Sequence, residues 1–81
     1  MNTHKLKTWP SFFKDFLDKG KSFDIRRNDR DYQVGDTVVL QEYDPIEEEY
    51  TGRTLNRKIT YITDYGQTSN RIVMSLEKNN D

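Results

Sequence analysis

The chain has 81 residues, no cysteine, one histidine and a formal net charge of −1. That is the size of one small domain, without disulfides or thiolate-held metal, and a lone histidine argues against a histidine-based metal centre. No stretch approaches the roughly 20 apolar residues of a membrane span, and the N-terminus lacks the apolar run of a signal peptide. The expectation is a soluble, cytoplasmic monomer that holds no metal or cofactor.

Charge is unevenly spread. Residues 1–30 carry eight Lys/Arg against four Asp/Glu, residues 31–51 seven acids and no base, and residues 52–81 five bases against three acids. An anion or a single-stranded nucleic acid suits the first block, whereas the near-zero total does not suit a general duplex binder. An ordinary mixed-charge surface accounts for the same counts equally well.

In chain order, residues 3–8 read as a short polar strand anchored in the core by Leu6. Trp9, Phe12, Phe13, Phe16 and Leu17 then recur at helical spacing. With Pro10 in the first turn and Gly20 as a left-handed cap, they predict a helix over 10–19. Its stripe reads as core, with Trp9 half exposed at the helix entrance. Residues 22–27 alternate as a strand, which sends Phe23 and Ile25 to the core and Ser22, Asp24 and Arg26 to the other face.

A loop over 28–33 and a turn at Val34-Gly35-Asp36 lead to the best strand signal, 37–43. There Val38, Leu40 and Glu42 share one face, and Val39, Gln41 and Tyr43 the other. Residues 44–52 read as an exposed hairpin connection with a solvated acidic tip, Glu47-Glu48-Glu49. A long strand over 53–65 follows, with Leu55, Ile59 and Tyr61 in phase. A loop over 66–70 precedes a last strand, 71–76, with Ile72, Met74 and Leu76 in phase, and the final residues are expected to fray. The order β-α-β-β-β-β predicts an α+β fold: a small curved or barrel-like mixed sheet with one helix against it.

The candidate site is the polar row from Lys21 to Arg30. Lys21 offers three donors to a phosphate or a base carbonyl, although a solvated lysine near a helix C-terminus needs no ligand. Asp24 and Arg26, two apart on a strand, support each other or a shared ligand, or form a surface ion pair. Arg26, Arg27 and Arg30 suit phosphate or base contacts. Asn28 lies in a run, Asn28-Asp29-Arg30-Asp31, that also reads as a turn capping its own backbone. Lys7 adds a phosphate contact. Trp9 and Tyr43 are stacking candidates, with rim packing as the alternative. Glu42, on an inner face, must meet an arginine or a polar cleft. His4 has no orienting partner nearby in sequence.

Several motifs occur together: His4-x-Leu6-Lys7, Trp9-Pro10-x-Phe12, Gly20-Lys21-x-Phe23-Asp24-Ile25-Arg26, Asn28-Asp29-Arg30-Asp31-Tyr32, Gly35-Asp36, Leu40-Gln41-Glu42-Tyr43 and Tyr50-Thr51-Gly52-Arg53. Over about residues 3–76 the chain resembles the ASCH-like branch of the PUA-like superfamily, and more closely a small phage and bacterial family within it. The resemblance implies a small PUA-like β-barrel with a helix at its side. It also implies a cleft lined by the lysine after the glycine, the following strand and the opening of the helix.

Such domains are generally associated with RNA binding, so the resemblance implies an RNA- or nucleotide-like partner. Some small members are amidohydrolases on acetylated cytidine that use a lysine, a threonine three positions later and a glutamate. Lys21 matches the lysine, Asp24 occupies the threonine position, and Glu42 is a candidate glutamate. A carboxylate cannot copy a hydroxyl nucleophile activated by a neighbouring base, so the expectation leans to a binding module. The amidohydrolase and a ligand-free protein-interaction domain stand as alternatives.

Overall fold

The computed structural model describes residues 1–78. Its elements are β1 (Thr3–Thr8), α1 (Pro10–Asp18), β2 (Phe23–Arg27), β3 (Thr37–Asp44), β4 (Glu49–Thr63) and β5 (Arg71–Lys78). The five strands form one mixed sheet in the order β1-β3-β4-β5-β2. β1 runs parallel to β3, and every other pairing is antiparallel. The sheet curls into a half-barrel with the helix against it, as expected from the element order.

The curl brings the two outer strands towards each other, and two arginines tie them together. Arg26 of β2 donates through Nη2 to the Lys7 carbonyl at 3.0 Å. Arg30, just beyond β2, donates through Nη1 to the Lys5 carbonyl at 2.9 Å. These bonds satisfy edge carbonyls of β1 that no neighbouring strand reaches.

The concave face holds the core: Leu6, Phe16, Tyr32, Val38, Leu40, Ile59, Ile72, Met74 and Leu76. Val38, Leu40 and Glu42 point inward, as the alternation predicts, and so do Ile72, Met74 and Leu76. β1 contributes more than Leu6, because His4 and Thr8 on the same face are also buried. The helix follows the predicted span to within a residue. Only Phe13 and Phe16 of its stripe are buried, while Trp9, Phe12 and Leu17 stay about half exposed. A nine-residue helix packed mainly against β3 covers too little surface to bury five large side chains.

Two further expectations are corrected. The connection after β3 is much shorter than 44–52, because β4 begins at Glu49 and the Asp44 carboxylate accepts the amides of Ile46 and Glu47 across a tight turn. In β4, Leu55 and Ile59 face inward but Tyr61 does not. A bulge between Ile59 and Tyr61 inserts one extra residue against β5 and reverses the phase, so Ile62 turns towards the core and Tyr61 to solvent. The fraying expected of the final residues concerns 79–81, which lie outside the described residues.

β2 reverses the predicted faces. Phe23 and Ile25 point outward, nearly half exposed, whereas Asp24 and Arg26 point inward and are partly covered. The alternation is as expected and its direction is opposite. Register against β5 decides it, since Asp24 pairs with Met74 and Arg26 with Ile72, both inward-facing residues.

Candidate nucleic-acid interface

The inward face of β2 does not reach the core. It borders a cavity of about 300 Å³ between the free edge of β2, the end of β1 and the start of α1. Trp9 and Phe12 form the aromatic wall, Thr8 adds a hydroxyl, and Asp24, Arg26, Arg27 and Arg71 supply the charge. Trp9 sits there because Pro10 opens the helix, and the residue before a proline stays extended. Its φ of −61° and ψ of 149° aim the chain away from α1 and leave the ring at the rim.

Asp24 and Arg26 are locked together. Asp24 Oδ2 accepts from Arg26 Nε at 2.7 Å, and its Oδ1 accepts the Ile25 amide at 3.1 Å. With side-chain exposures of 13% and 26% respectively, they are neither a solvated surface pair nor a dry core pair. Each carboxylate oxygen retains a lone pair for a ligand. On the far side of Trp9, the Tyr43 ring lies 5.8 Å away and Tyr50 stands edge-on to Tyr43 at 5.1 Å. Lys7 Nζ is 4.1 Å from the Tyr43 ring centre.

The other candidates are distributed differently. Lys21 borders a neighbouring hollow of about 420 Å³ with Phe12, Asp15 and Phe23, so Phe12 divides it from the first cavity. Its ammonium lies 4.5, 5.1 and 5.3 Å from the rings of Phe12, Phe16 and Phe23. It therefore holds the helix end against β2 as well as facing solvent. Arg30 and Tyr32 line a smaller hollow of about 200 Å³ beside Arg26 and Arg27. The Asn28 backbone ties β2 to the turn before β5, its N–H donating to the Asn70 carbonyl and its C=O accepting from Asn70 Nδ2.

Glu42 is elsewhere altogether. Gln41 pairs with Thr54 and Tyr43 with Tyr50, so three residues of β4, Thr51 to Arg53, lie opposite Glu42 alone. Gly52 carries the bulge with φ +94°, a region that other residues resist. Thr51 donates to Glu42 at 2.7 Å, and Arg53 donates through Nε and Nη2 at 3.0 and 3.2 Å. The Thr51 hydroxyl first and the Arg53 guanidinium second hold the Glu42 carboxyl below its ordinary pKa against the opposing effect of burial. Lys21, Asp24 and Glu42 therefore do not share one hollow.

His4 has a partner distant in sequence. Its Nε2 donates to Asp36 Oδ2 at 2.8 Å, and the amides of Asn2 and Gln33 donate to the same carboxylate at 3.0 Å each. Asp36 is 1% exposed, and these donors, led by the Asn2 amide, keep its pKa below the usual carboxylate value. Tyr32 covers the His4 ring at 4.7 Å, and burial raises its phenol pKa. The His4–Asp36 pair pins the turn before β3 to β1 and borders none of the hollows above; of this cluster only Tyr32 reaches one, the hollow it shares with Arg30.

Thr8, Phe12, Ile25 and Arg71 are cavity residues that sequence patterning missed, Ile25 having been assigned to the core. Phe12 was absorbed into the helical stripe. Arg71 becomes visible only through register, as the partner of Arg27. Among the described residues, no helix is long and apolar enough to cross a membrane, and no group of three or more His, Cys, Asp or Glu side chains is placed to hold a metal.

Comparison with known proteins places this geometry in a family. A protein of Escherichia phage P2, "Uncharacterized 12.9 kDa protein in GpA 3'region", is 34% identical over 61 residues, covering 75% of this chain and 54% of the phage protein. The chain thus spans about half the length of the curated relative it matches. The family model described as "Domain of unknown function (DUF3850)" matches residues 3–76, from β1 to within β5, and the chain belongs to that family.

Proposed function

We propose that this domain binds single-stranded RNA or a nucleotide-like fragment in the cavity between Trp9 and β2. One observation carries the reading: a half-exposed tryptophan and the guanidiniums of Arg26 and Arg27 border the same cavity of about 300 Å³. An aromatic face accepts a base at about 1–3 kcal/mol per stacked ring, and guanidinium matches phosphate through paired bonds. Asp24, held by Arg26, is placed to accept from an exocyclic amine. The resemblance to ASCH-like and PUA-like domains points to the same ligand class.

Trp9 is the chain's single tryptophan, so its emission reports on the cavity directly. Titration with short mixed-sequence oligoribonucleotides at several salt concentrations should change that emission, with micromolar affinity that weakens as salt rises. In anisotropy with labelled RNA, Trp9→Ala and Arg27→Ala should each weaken binding. Affinity no better than millimolar, or insensitivity to both substitutions, overturns the proposal.

A further inference from the structure

Arg27 and Arg71 face each other directly across the β2–β5 ladder. The Leu76 amide donates to the Ser22 carbonyl and the Asn28 amide to that of Asn70, so the hydrogen-bonded pairs fall on the even-numbered residues of this edge. Arg27 and Arg71 are then a non-hydrogen-bonded pair, the kind that brings opposing side chains closest. Like charges so placed destabilise a sheet. The ion pairs of the described residues are His4–Asp36, Arg26–Asp24 and Arg53–Glu42, and none involves Arg27 or Arg71. Asp24, the carboxylate of their shared cavity, is taken up by Arg26.

We infer that Arg27 and Arg71 form a clamp for a terminal phosphate, and that the ligand is a phosphorylated strand end or a mononucleotide rather than an internal stretch of RNA. This deepens, and rests on, the reading of the cavity as a nucleotide site. A bridging phosphodiester offers one charge and two free oxygens. A phosphomonoester carries about −1.5 to −2 charge and three acceptor oxygens, enough to receive two guanidinium forks and relieve their repulsion. Trp9 and Phe12, which line the same cavity, then receive the terminal base.

The test compares oligoribonucleotides of one sequence bearing a 5′-phosphate, a 3′-phosphate or only hydroxyl ends, together with a nucleoside monophosphate. One phosphorylated form should bind at least about tenfold tighter than the hydroxyl-ended strand, as charge-assisted bonds to a terminal phosphate imply. The preferred form tells a 5′ end from a 3′ end or a free nucleotide. Arg71→Gln should erase that difference, so that phosphorylated and hydroxyl-ended strands bind the variant alike.

Without ligand, Arg71→Gln should melt no lower than the wild type, because it removes a repulsion, and inorganic phosphate should raise the melting temperature of the wild type alone. Equal binding of hydroxyl and phosphate ends overturns the clamp and leaves the RNA reading standing. Stabilisation by inorganic phosphate through Arg71, without affinity for any nucleotide, keeps the clamp and removes the nucleotide reading. A less stable Arg71→Gln, with no response to phosphate in the wild type, removes the clamp.

Discussion

β3 and β2 carry the same kind of alternation and use it in opposite ways. β3 lies between β1 and β4, and its inward residues Val38 and Leu40 are fully buried. β2 is an edge strand whose inward residues are a carboxylate and a guanidinium, while its apolar residues face out. A strand paired on both sides has its faces set by burial. An edge strand takes its faces from the register of its one partner and from whatever its inner side meets. Here that is an open cavity, where Asp24 and Arg26 cost little and a large apolar side chain would gain little by turning inward.

The contrast can be broken most severely on β3. Leu40→Ala should lower unfolding free energy by about 2–5 kcal/mol, the range for emptying a buried leucine site. The matched Ile25→Ala on β2 should cost less than about 1 kcal/mol. Denaturant midpoints of the two variants measure the difference, and equal losses would show that β2 is packed as β3 is.

Next come the carboxylates. Glu42→Gln, which leaves the Arg53 guanidinium without its anion, should cost about 1–3 kcal/mol. Asp24→Asn, in the half-solvated pair of β2, should cost no more than about 1 kcal/mol. Acid sharpens this comparison. Asp36 and Glu42 both titrate lower in the folded protein than their ordinary values of 3.8 and 4.5. The unfolded chain therefore binds more protons in that range, and stability rises with pH. Their contribution is complete above those ordinary values and is lost as pH falls through the lower folded ones. Asp36→Asn and Glu42→Gln should each flatten the acid limb of a stability–pH curve. The smallest effect is expected of Phe23→Ser, within about 0.5 kcal/mol in thermal melts, as befits an outward-facing residue away from the core.

Much of the architecture is written locally. Trp9-Pro10 and Gly20 bound the helix, and Val38 and Leu40 fix the facing of β3 without reference to any other strand. The rest depends on pairings between distant residues. The orientation of β2 follows from Asp24 lying beside Met74 and Arg26 beside Ile72, which periodicity within 22–27 cannot express. The displacement of Tyr61 follows from one inserted residue. Of the candidate site, Trp9, Asp24, Arg26 and Arg27 were legible as residue types suited to a nucleotide, and the fold puts them on one cavity. Lys21 and Glu42 were equally suitable chemically. Their rings and partners at Phe12, Phe16, Thr51 and Arg53 draw them elsewhere. Arg71 had no local signature at all.

The guanidiniums that reach from Arg26 and Arg30 to the carbonyls of Lys7 and Lys5 do more than close the half-barrel. Unpaired strand margins invite other chains to add themselves, and bulky charged side chains lying across them keep such recruits out. The double substitution Arg26→Ala with Arg30→Ala would uncover the free margin of β1, and the outcome would be self-association rather than simple unfolding. On this molecule, the same guanidiniums that border the hollows beside β2 would also guard it against polymerisation.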